Sequence, residues 1–175
     1  MKKLLFIIML FAATPANAAV NIFACEPEWK SLAEEIGKEN VDALSATSYR
    51  QDPHHVRAKP SLLANIRKAD LIICSGAGLE VGWLPILMQK SASAKAETLI
   101  ASNYVRVLEK PAKVDRSMGD VHPEGNPHIQ LSPYNILLVG KELTARLEKI
   151  NPENKEAYQE NWQQFEKKWK SKIIS

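Results

Sequence analysis

Apolar residues in this chain form short, β-branched-rich runs that alternate with segments of helical periodicity. The runs are VNIFAC (20–25), VDALSAT (41–47) and DLIICSG (70–76), each short enough to be a strand buried in a sheet. Between them lie EWKSLAEEIGKE (28–39), where Trp29, Leu32, Ala33 and Ile36 recur at the spacing of one helix face, and PSLLANIRKA (60–69). Strand, helix, strand, helix, strand predicts a parallel sheet with crossover helices. A further helix over GWLPILMQKS and a further strand over ETLIAS complete an α/β fold with a parallel four-stranded sheet and flanking helices.

Beyond residue 131 the pattern is helical only. Ser132-Pro133 offers an N-cap and a first-turn proline, and Ile136, Gly140, Leu143, Leu147 and Ile150 mark one face. Asn151-Pro152-Glu153 ends that helix and caps another, predicted from Pro152 to about Lys172 and roughly 30 Å long at about 1.5 Å per residue. This last helix carries Tyr158, Trp162, Phe165 and Trp169 at alternating steps of four and three. Such an aromatic stripe must be buried against something.

The N-terminus changes the picture. Two lysines, an unbroken apolar run from Leu4 to Ala13, Pro15 and then Ala16-Asn17-Ala18 read as a secretory signal peptide over residues 1–18, with maturation at Ala19. Its apolar run is too short to span a bilayer, and no other block is long enough, so membrane insertion of the mature chain is not expected. Attachment of lipid at Cys25 is disfavoured, because Asn21 separates it from the apolar run and bulky Phe23 sits close to the cleavage point. Removing Lys2 and Lys3 lowers the formal charge from +3 to +1, a balance that implies no nucleic-acid partner. An exported chain meets an oxidising compartment. Cys25 and Cys74 close the first and third strands, which are neighbours if the strand order is 2-1-3. A disulfide, two buried thiols and thiolate ligation of a metal are the alternatives there.

All four histidines fall in two loops: His54 and His55 in YRQDPHHVRAKP, His122 and His128 in GDVHPEGNPHIQLSP. In a parallel α/β sheet ligands bind beyond the carboxyl ends of the strands, where both loops can reach. Proline beside a loop histidine fixes the backbone that presents the ring, and neutral imidazole suits zinc and similar first-row ions. The spacing of His122 and His128 fits neither a zinc finger nor the helical histidine pair of a metalloprotease.

DPHH followed by KPSLLANIRKADLIICSGAGLE, and then GNPHIQLSP leading into a helix, resembles the periplasmic metal-binding proteins of zinc and manganese ABC importers, the zinc-uptake type among them. The resemblance covers nearly all of the chain after residue 18. It implies two α/β lobes joined by a long helix with the metal between them: an N-terminal metal-binding lobe over residues 19–150, an interlobe helix over 151–175, and no second lobe within this sequence. It implies metal ligation by His54 and His128, leaves His122 as a third ligand, a weak recruiting site or a surface residue, and gives His55 no role. The implied function is capture of a divalent metal in the periplasm, zinc first and manganese or iron as alternatives, for delivery to a permease and its ATPase. The competing readings are an exported zinc hydrolase with Glu124 or Glu80 as base, and a one-lobed buffer or remnant. Without a second lobe, the aromatic stripe is expected to be left as an exposed apolar patch.

Overall fold

The computed structural model describes residues 18–91, 96–115 and 121–173, so all of the expected signal peptide except Ala18 lies outside the described residues. Four parallel strands, β1 (Val20–Ala24), β2 (Val41–Ser45), β3 (Leu71–Cys74) and β4 (Glu97–Ile100), lie in the order β2-β1-β3-β4. Their register runs from Val20↔Val41 to Ala24↔Ser45 and from Ile22↔Leu71 to Ala24↔Ile73, which brings the carboxyl ends to one rim. Strands β2 and β3 flank β1 on opposite sides, so the connections leaving β1 and β3 diverge there and open a crevice.

Alternation along the strands divides the core in two. Val20, Ile22, Ala24, Leu71 and Ile73 face α1 (Pro27–Gly37), α4 (Pro133–Ile150) and α5 (Lys155–Ile173). Phe23, Cys25, Ile72 and Cys74 face α2 (Pro60–Lys68) and α3 (Leu84–Ser91). Helices α1, α2 and α4 each open on a proline in the first turn, where the missing N–H has no carbonyl to lose. Ser132 occupies the cap position of α4, but its side chain makes no capping bond. The last helix departs from expectation in its first turn: Pro152–Asn154 is 3-10, held by Asn151, whose side chain accepts from the Asn154 amide, before α5 begins.

The aromatic stripe overturns one expectation. Tyr158 is fully buried and Phe165 nearly so, while Trp162 and Trp169 pack partly buried on the same cluster, against side chains from α1 and α4. A Cβ at Gly140 of α4 would come within 2.4 Å of the Trp162 ring, so the two helices touch there without a side chain between them. The Asn161 side-chain nitrogen donates to the Ile36 carbonyl at the end of α1, and the Trp169 indole donates to the Pro133 carbonyl at the start of α4. The stripe is therefore core of this lobe, not a surface left over from another. Sequence periodicity identified a buried face but not the surface that covers it.

Candidate metal centre

The loop after β2 turns at Asp52-Pro53-His54-His55, with the His55 amide donating to the Asp52 carbonyl at 3.2 Å. The Asp52 side chain organises this turn. One carboxylate oxygen accepts from the His54 amide at 2.9 Å and pairs with His54 Nδ1 at 2.7 Å; the other pairs with His55 Nδ1 at 3.0 Å. The His54 amide, followed by the His55 and His54 rings, holds this carboxyl well below the usual carboxylate range. An anionic Asp52 keeps the proton of His54 on Nδ1 and leaves the Nε2 lone pair as a donor, the arrangement by which carboxylates orient metal-binding imidazoles.

The second histidine loop repeats the device. Asn126-Pro127-His128 has the Asn126 side-chain oxygen accepting from the His128 amide at 3.0 Å, an Asx turn like that of Asp52 and His54. Residues 122–125 form a turn in which the Gly125 amide donates to the His122 carbonyl. Gly125 sits at φ +104°, and a Cβ there would lie 2.5 Å from the Leu108 carbonyl oxygen, so only glycine lets the loop lie on the 107–110 segment. The Asn126 amide donates to that same carbonyl, and its side-chain nitrogen donates to Glu109.

Together the two loops bring His54 and His122 into contact, with the His128 ring farther off. The Nε2 atoms of His54 and His122 are 3.0 Å apart, with their rings stacked at 5.0 Å, and the His128 ring lies 6.0 Å from that of His54 at 71°. Two nitrogens on one tetrahedral zinc, each at about 2.0–2.1 Å, are about 3.4 Å apart, so the His54–His122 spacing needs only a small opening to admit an ion. An open cavity of about 470 Å³ is lined by all three histidines and by Glu109 and Asn126. Burial raises the Glu28 carboxyl at the start of α1, and a hydrogen bond to its own backbone amide, then the nearby His128, draw it back only in part.

Among the residues singled out from sequence, His55 is exposed and lines a different hollow, with Gln51, Arg57 and Lys59. The sulfurs of Cys25 and Cys74 are bonded to one another, with Cα atoms 4.8 Å apart, so neither offers a thiolate to a metal or an attachment point for lipid. Glu124 is exposed on the 122–125 turn. Glu80, the other candidate base of a hydrolase, is buried and accepts from the Ser75 and Gly76 amides, which leaves it unsuited to activating a metal-bound water. Sequence reading missed Asp52, Glu109 and Glu28. For Asp52 the signal was present, since an Asx residue two before a histidine is placed to bind its amide.

The class defined by this arrangement is an α/β lobe with histidine-bearing loops converging over the carboxyl ends of parallel strands. The chain belongs to the family described as zinc-uptake complex component A, periplasmic (ZnuA), whose model matches residues 22–172. It is 28% identical over 132 residues to the high-affinity zinc uptake system protein ZnuA of Bacillus subtilis, covering 73% of this chain and 40% of that protein. It is 26% identical over 138 residues to the manganese ABC transporter substrate-binding lipoprotein PsaA of Streptococcus mitis, covering 77% of this chain and 43% of that one. In fold it is similar to the manganese-bound periplasmic metal-binding protein of Candidatus Liberibacter asiaticus, with TM-score 0.73 and 18% identity over 87% of this chain and 54% of the other. A crystal structure of ZnuA matches with TM-score 0.73 and 24% identity over 87% of this chain and 55% of the other. The chain spans about half the length of the curated relatives it matches.

Proposed function

We propose that this chain captures a divalent transition metal outside the cytoplasm, zinc by preference, and presents it to the permease and ATPase of an ABC importer. The observation that carries this reading is the approach of His54 and His122 to 3.0 Å between donor nitrogens, with His128 beside them and Asp52 fixing the His54 tautomer. Three imidazoles favour zinc over magnesium or calcium, which take oxygen ligands, and over manganese, which prefers carboxylate and water. Family membership supports metal capture for import, and the relatives' names divide between zinc and manganese. Export through the N-terminal segment fits relatives described as periplasmic or as lipoproteins, although Cys25 here lies in a buried disulfide.

Three imidazoles leave one position of a tetrahedral zinc to water, so these residues alone are expected to bind more weakly than a closed site of four protein ligands. Competition titration against a chromophoric chelator, with zinc and with manganese, tests the reading. One zinc per chain, bound more tightly than manganese and lost in His54→Ala and His128→Ala, is the expected result. Unchanged binding in both variants would remove the ligand assignment.

A further inference from the structure

Resting on that reading, the geometry points to Glu80 as a positioning residue for the histidine cluster, acting through the turn Gly76–Trp83. We infer that its carboxylate clamps this turn to the end of β3, and that the turn is the floor on which both histidine loops are seated.

Three successive residues of the turn, Gly76, Ala77 and Gly78, have φ of 79°, 50° and 84°. A run of left-handed residues persists only where surrounding bonds determine it. Glu80 supplies those bonds. One of its oxygens accepts from the Ser75 amide at 2.8 Å and the Gly76 amide at 3.2 Å, and the other accepts from the Gly76 amide at 3.0 Å. From the other side, the Ala77 amide donates to the Ser102 hydroxyl at 3.1 Å. Beneath the clamp, Ser75 is fully buried, and its hydroxyl donates to Glu26 at 3.0 Å while accepting from the Trp29 indole at 2.8 Å. The clamp is therefore anchored in the crevice between β1 and β3, beside the Cys25–Cys74 bond.

The upper side of the same turn meets both histidine loops. The Trp83 indole donates to the carbonyl of Pro53, the residue before His54, at 2.8 Å. A Cβ at Gly82 would lie 3.4 Å from the His54 carbonyl oxygen, and one at Gly78 would lie 3.1 Å from His122 Nδ1. Displacing the turn moves the supports of His54 and His122 together, and with them the separation of the two Nε2 donors. A glutamine at position 80 keeps the size of the side chain but turns one acceptor into a donor, which in either orientation faces the Gly76 amide, and in one of them the Ser75 amide as well, at hydrogen-bond distance.

The test compares Glu80→Gln and Trp83→Phe with a control, Leu87→Ala, which opens the fully buried packing of α3. Each chain is titrated with zinc and with cobalt(II), whose visible absorption reports coordination geometry, below its own unfolding midpoint. Glu80→Gln and Trp83→Phe are expected to bind zinc about 10-fold more weakly, as for other residues that orient ligands, and to change the cobalt spectrum. Leu87→Ala is expected to lower the midpoint while leaving affinity and spectrum as in wild type. Wild-type affinity and spectrum in both test variants would overturn the inference, as would equal weakening in Leu87→Ala. Should Glu80→Gln fail to fold, Trp83→Phe decides alone. If the wild-type chain takes up no cobalt, or His54→Ala and His128→Ala bind as wild type does, the metal reading itself falls.

Discussion

Asp52-Pro53-His54 and Asn126-Pro127-His128 are built on one plan and finished differently. In both, the side-chain oxygen of the first residue accepts from the amide of the histidine, and proline holds the bend between them. Asp52 then also grips the His54 ring, leaving His54 part-buried with its Nε2 aimed at His122. Asn126 gives its remaining group to Glu109 instead, and His128 stands exposed. The backbone device places an imidazole; a carboxylate is needed to set its tautomer and direction. One loop thus fixes its ring in advance, and on the proposed metal reading the other would complete its geometry when an ion binds.

The largest expected effect removes the prepared ring. His54→Ala should weaken zinc binding by more than the roughly 10–100-fold typical of losing an orienting partner, as measured by chelator competition. Asp52→Asn makes the first loop like the second: the turn to the His54 amide survives and the negative charge does not. Zinc affinity should fall about 10-fold with little change in the unfolding midpoint. Asn126→Asp does not perform the reverse conversion, since it sets a second negative charge 2.8 Å from Glu109 where an amide now donates. It should weaken binding less than Asp52→Asn does.

Two further changes bound the contrast between the loops. Glu26 is a carboxyl outside both of them, pushed up to about 9 by burial and then by the neighbouring Glu80 charge, the opposite of Asp52. Its folded pKa lies above the unfolded value of 4.5, so the stability it contributes is fully present below about pH 4.5 and lost as pH rises through about 9. The thermal midpoint should therefore decline across that window. Glu26→Gln should flatten the decline. The smallest effect belongs to His55→Ala: this ring pairs with the outer oxygen of Asp52 while largely exposed, so zinc affinity should stay within about 2-fold of wild type.

Much of the lobe was legible in the chain because its signals are local. The short apolar runs at residues 20–25 and 70–76 mark strands buried in a sheet, and the spacing of Trp29, Leu32, Ala33 and Ile36 marks the helix face that covers one side of it. The histidine loops could be read from proline and histidine adjacency. Contacts between distant segments could not. Nothing in the periodicity of α5 says that Trp162 meets Gly140 rather than another lobe, and nothing near Glu80 says that its carboxylate meets the end of β3. His122 lay between these cases: its loop was visible, but its approach to His54, 68 residues away, depends on the turn beneath them.

X-ray absorption at the zinc edge of the zinc-loaded chain is the sharpest test of the three-imidazole site, because it counts the donors on the ion. Three imidazole nitrogens at about 2.0–2.1 Å with one oxygen are expected, and fewer imidazoles in His122→Ala. A sulfur shell near about 2.3 Å, or a shell of oxygen with no imidazole, would contradict that site.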